Sequence, residues 1–145
     1  MAQILLSTSP AMFEEFEVPY AARWYERFGL ADYGCCDPLH DRVHLVRRIP
    51  NVRKISMSPW ADVEIGAAAI GRDYVFSWKP NPALLAADGW DVEAIERDIR
   101  RVVSACAQAG RPLEVTMKDI STVRYRPQRL WEWADIVTRV VQGQG

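Results

Sequence analysis

Cys35 and Cys36 stand side by side at the end of a short apolar run, and His40 and His44 follow, four residues apart. Thiolate and imidazole both ligate zinc, and a catalytic zinc needs only three protein ligands with one position left open. Cys35, Cys36 and His40 are therefore a candidate metal set. The same two thiols are candidate nucleophiles, because adjacent side chains at a strand end point in different directions and one can face a site. The plainer alternative is a pair of ordinary packed thiols. Lys79 and Asn81 alternate with Pro80 and Pro82, and a loop stiffened by two prolines that carries an ammonium and an amide suits an anionic substrate or a developing oxyanion. Lys118-Asp119 closes a further apolar run, with Lys118 a second anion binder and Asp119 an acid or base. If that strand continues, alternation sends these two side chains to opposite faces; if it has ended, both reach the rim. Trp60, next to Pro59, is either a stacking platform for a ligand or a lid over the core. Asp62 is a candidate substrate contact that also fits a helix N-cap.

All of these residues fall where a predicted strand gives way to a predicted helix. Strands are expected over 3–7, 30–36, 53–58, 73–78 and 113–117, the third alternating Ile55 and Met57 with Ser56 and Ser58. Ser9-Pro10 opens a helix running to Phe28, kinked or split at Pro19, whose Phe13, Phe16, Tyr20, Trp24 and Phe28 recur at three- or four-residue spacing as a core-facing stripe. Further helices are expected over 38–48, from Asp62 to before Gly71, near Leu84, from Asp91 to Gly110 and over 127–141. The last should bury Leu130, Trp133, Ala134, Val137, Val140 and Val141, while Cys106 is a small core residue. Strand and helix alternate without a low-complexity linker, which predicts one α/β domain over 1–145 with a mainly parallel sheet. Parallel strands deliver their C-terminal ends to one rim, so the chemistry gathers there.

Composition narrows the partners. The 145 residues are 49% hydrophobic and 26% charged with a net charge of −1, which gives no basic excess for nucleic acid. No apolar run approaches the roughly 20 residues that span a bilayer, and Ile4-Leu5-Leu6 is too short for a signal peptide, so a cytoplasmic protein away from the membrane is expected. An odd count of three cysteines, two adjacent, is not a secreted disulfide framework. No glycine-rich phosphate loop or dinucleotide fingerprint occurs, so no nucleotide cofactor is expected.

The run from Ser9 to Tyr20, with its Ser-Pro-x-x-Phe-x-Glu-Phe-x-x-Pro-Tyr pattern, is followed by Tyr33-Gly34-Cys35-Cys36-Asp37-Pro38-Leu39, by residues 56–62 and by Lys79-Pro80-Asn81-Pro82. Together these resemble the C-terminal half of the uroporphyrinogen decarboxylase-like superfamily, most closely an uncharacterised branch. The resemblance implies half of an eight-fold βα barrel, with decarboxylase or corrinoid/thiol methyltransferase activity on a small anionic or tetrapyrrole-related substrate, and zinc as a cofactor. In the methyltransferases a His-x-Cys motif ends the corresponding strand; Cys35 matches, Tyr33 stands in place of the His, and residues 113–117 hold no cysteine. A (βα)8 barrel typically needs about 250 residues, so the expected assembly is a homo-oligomer or a complex with a partner chain that completes the barrel. The alternative is a non-catalytic ligand-binding or interaction module on the same scaffold.

Overall fold

A computed structural model describes residues 5 and 7–143. Four strands form one sheet in the order β1 (Ala31–Tyr33), β2 (Val52–Met57), β3 (Val75–Trp78), β4 (Leu113–Val115), and every neighbouring pair is parallel. Between them run α1 (Pro10–Phe16) and α2 (Val18–Tyr25) before β1, then α3 (Val43–Val46), α4 (Val63–Ile70), α5 (Ala83–Ala86) and α6 (Val92–Ala109), with α7 (Gln128–Val141) after β4. The protein is thus α/β with a four-stranded parallel sheet and flanking helices, and the sheet is not closed into a barrel. The expected strand over 3–7 falls mostly outside the described residues.

Local chemistry explains where the helices begin and end. Ser9 accepts a hydrogen bond from the Met12 amide with Pro10 in the first turn, Asp62 caps α4 through the Ile65 amide at 2.8 Å, and Asp91 caps α6 through the Ala94 amide at 2.8 Å. Gly110 ends α6 in the left-handed conformation. The predicted 10–28 helix breaks at Glu17, one residue before the segment in which Pro19 sits at the first turn of α2.

The register divides the sheet into two unlike faces. Ile55 and Phe76 are neighbours on one side, as are Met57 and Trp78, and all four are buried. This side packs on α4, where Gly66 lies so close that a Cβ would stand 3.1 Å from the Phe76 ring. Ile95, Ile99, Val102 and Cys106 on α6 extend the same core. On the other side Ser56, Ser77 and Glu114 share one register row, and with Asp32 and Lys54 they make a polar face.

Two expectations about burial are corrected. Of the predicted aromatic stripe only Phe13 is buried; Phe16, Tyr20, Trp24 and Phe28 are 51 to 63% exposed. The break at Glu17 lets Phe13 turn in against Tyr33, edge to face at 6.4 Å, while α2 buries Val18 and Ala21 instead. On α7 the buried positions are Arg129, Ile136 and Val140, whereas Leu130, Ala134 and Val141 are exposed. The face is rotated because the Arg129 guanidinium takes the inward position, donating to the Leu85, Ala87 and Asp88 carbonyls at 2.8, 2.6 and 2.9 Å.

Candidate functional site

The C-terminal ends of the four strands share a cleft of about 180 Å³ lined by Cys35, Cys36, Trp60, Lys79, Asn81, Lys118 and Asp119, with three prolines. The first two residues arrive from β1 through a turn at Gly34, whose φ of +98° is open to glycine and strained for other residues. A Cβ there would also meet the Leu39 side chain at 2.7 Å and Ser56 at 3.2 Å. Gly34→Ala is expected to destabilise the fold by about 1–3 kcal/mol, read as a lower denaturant midpoint; an unchanged midpoint would show that the turn is not under this constraint.

Lys118 and Asp119 arrive from β4, which has ended at Val115. Asp119 is left-handed, with φ of 54°, a conformation aspartate tolerates better than most residues. That reversal cancels strand alternation and brings the two side chains to one place, 2.7 Å apart. The Lys118 ammonium lies 3.1 Å from the Cys35 sulfur and also donates to the Cys36 sulfur. Cys36 in turn stands 3.2 Å from the Asp119 carboxylate, and the two sulfurs are 3.8 Å apart.

The charges in this knot oppose one another. Burial works against the Lys118 charge, but Asp119 and the two thiols outweigh it and hold the ammonium protonated well above its ordinary range. Lys118 favours ionisation of Cys36; burial, Asp119 and Cys35 outweigh that pull and push the thiol up. Hydrogen bonding to Lys118 holds the Asp119 carboxyl below its usual value. At neutral pH Cys36 is therefore a thiol that donates to a carboxylate, while the Cys35 side chain touches the ammonium and the Cys36 thiol. Cys106 behaves differently: it is buried on α6 as expected, and burial alone pushes it up to about 11.

Lys79 forms the floor of the cleft. It is 8% exposed, its ammonium donates to the Ser77 hydroxyl at 2.7 Å, and among the described residues it has no ion-pair partner. Ser77 donates onward to Glu114 at 2.6 Å, and Lys54 donates to the same carboxylate at 2.5 Å. Hydrogen bonds from Lys54 and Ser77 hold Glu114 below its ordinary value. Ser77 and Glu114 are site residues that sequence reasoning missed. Their signal was weak, since Glu114 lies in a three-residue strand and only the register sets it beside Ser77.

The other predicted residues divide. Trp60 lines the mouth and is 71% exposed, and Asn81 lines the wall while its carbonyl caps the Ala83 amide. Asp62 is occupied as the cap of α4 and is not on the cleft, nor is His40, whose Nδ1 is buried without a hydrogen-bond partner among the described residues. Tyr33, in the place of the family histidine, is buried and donates to Glu17 at 2.9 Å. Among the described residues no group of three or more His, Cys, Asp or Glu side chains is arranged to hold a metal ion. The thiols are instead organised around an ammonium, beside which a dication would meet like charge. No described helix is long and apolar enough to cross a membrane.

Comparison with known proteins returns no match among protein families, curated proteins or solved structures. The likeness to the uroporphyrinogen decarboxylase-like superfamily therefore rests on the motifs themselves.

Proposed function

We propose that the chain is half of a βα barrel whose strand-end cleft binds a small anionic molecule and performs thiol-based alkyl transfer, the methyltransferase kind of reaction that the motif resemblance implies. One observation carries this reading: two lysines and two thiols converge on one cleft, and the nearly buried Lys79 makes no direct ion pair among the described residues. Asp32 and Glu114 act on Lys79 only without direct contact, so a ligand carboxylate or phosphate would give the ammonium its first charged hydrogen bond. The cleft, about 180 Å³, is below the roughly 300–1,000 Å³ of sites for drug-sized molecules, which favours a small carboxylate or phosphate over a tetrapyrrole.

In this reading Lys79 anchors the anion, with Trp60 and Asn81 at its sides. Cys35 is the nucleophile and Lys118 stabilises its thiolate. The sulfur attacks the alkyl carbon of the bound donor; a C–S bond forms as the bond from that carbon to its leaving group breaks, and the leaving group keeps the electron pair. Asp119 accepts the hydrogen bond of Cys36 and keeps that second thiol protonated and in place. Decarboxylation, the other reaction the resemblance implies, would not consume a thiol and should survive Cys35→Ser, whereas alkyl transfer should not.

Titration of the wild-type protein with succinate and with inorganic phosphate, followed by isothermal calorimetry, tests the anchor. Saturable binding should weaken about tenfold or more in Lys79→Met. Failure of the wild type to bind either anion, or equal binding by Lys79→Met, would overturn the reading; binding with no alkyl transfer to Cys35 from any methyl donor would leave a binding module.

A further inference from the structure

The two edges of the sheet are complementary to each other. Beside β1, Tyr20 and Trp24 of α2 line an open cleft of about 510 Å³ together with Asp32 and Tyr33. Tyr20 and Trp24 there, with Phe16 and Phe28 on the same two helices and the loop after them, are each more than half exposed, the kind of surface that marks an interface. Beside β4, Leu113 and Val115 form an apolar groove of about 280 Å³ with Val137 and Val141 of α7. One edge thus offers protruding aromatic rings and the other an apolar groove.

The polar face adds a second argument. Parallel sheets occur almost only with both faces covered, yet here Asp32 is exposed and the Lys54 and Glu114 side chains are 40 and 35% exposed. This face carries charges of both signs in equal number, Lys54 and Lys79 against Asp32 and Glu114. A second copy turned about an axis along the strands would meet it with compensating charge.

Resting on the half-barrel reading above, we propose that the partner is a second copy of this chain, with β1 of each copy pairing in parallel with β4 of the other. A two-fold axis along the strands satisfies both edges at once and closes the contact, so no filament grows. Four strands from each copy make eight, the number at which side chains just fill a barrel interior. The aromatic row of one copy then packs on the Leu113–Val141 side of the other, and both clefts open on the same end.

Sedimentation of the full chain should show a dimer of 16.5 kDa subunits. Trp24→Lys and Val141→Glu change exposed residues on opposite edges, so each variant should keep its far-UV circular dichroism and sediment as a monomer. Mixing them should restore the dimer, because one interface of the mixed pair is wild type and the other sets the ammonium introduced by Trp24→Lys against the carboxylate introduced by Val141→Glu. A wild-type monomer at all concentrations, loss of the dimer in Trp24→Lys but not in Val141→Glu, or no recovery on mixing would each overturn the proposal. A wild-type protein that binds neither succinate nor phosphate yet sediments as a dimer counts against the cleft chemistry alone.

Discussion

Lys118→Met is expected to slow alkylation of the Cys35–Cys36 pair by iodoacetamide at neutral pH, and Asp119→Asn is expected to speed it. The signs follow from the contacts. Lys118 donates to both sulfurs, so its removal takes away the positive charge that favours thiolate. Asp119 holds the Cys36 proton at 3.2 Å, so removing its charge removes a force that keeps the thiol protonated. Each unit of change in thiol pKa alters the thiolate fraction about tenfold in this range, and rate changes of roughly that size in opposite directions are the expected result. Cys106, buried and pushed up to about 11, serves as an internal reference that neither variant should move. Equal rates in both variants, or a change of the same sign, would show that the knot at the rim does not control the thiols.

The second large effect concerns Arg129. Its guanidinium is 2% exposed, donates to three carbonyls between Leu85 and Asp88, and lies 5.4 Å from the Trp90 ring centre. These contacts fasten the start of α7 to the segment after α5. Arg129→Met keeps much of the volume and deletes every donor, leaving the Leu85 carbonyl without this partner in the interior, while those of the exposed Ala87 and Asp88 can turn to water. Charged hydrogen bonds and orphaned acceptors each cost a few kcal/mol, and a loss of about 3–5 kcal/mol is expected, or roughly 10 °C in Tm for a domain of this size. Amide exchange should show α7 opening ahead of the remainder. A variant within about 1 kcal/mol of wild type would mean that α7 is held by Ile136 and Val140 without the arginine.

Much of the framework was legible in the residues. Ser9-Pro10, Asp62, Asp91 and Gly110 mark helix ends through hydrogen bonds local to a few residues, and all four stand where their chemistry puts them. The alternation of Ile55 and Met57 with Ser56 and Ser58 marked a strand, and β2 runs over Val52–Met57. What could not be read was decided by distant parts of the chain. The aromatic row on α1 and α2 has the spacing of a core face, but spacing says nothing of whether a covering element is present. Arg129 was not among the expected inward residues of the last helix, because only α5 and the following loop supply its acceptors. The meeting of Lys118 with Asp119 depended on one left-handed backbone angle, and the link from Lys79 through Ser77 to Glu114 on strand register.

The cleft joins the loop after the first strand of the sheet to the loop after the last, and Cys36 waits for a lysine 82 residues further along the chain. At ribosomal rates of about 5–20 residues per second, that separation corresponds to roughly 4–16 seconds. During that interval the adjacent thiols have been synthesised while their ammonium has not. Until then the two thiols lack the positive charge that favours thiolate, so on a nascent chain they react as ordinary thiols, and the control exerted by the knot begins only once Lys118 has folded back onto them.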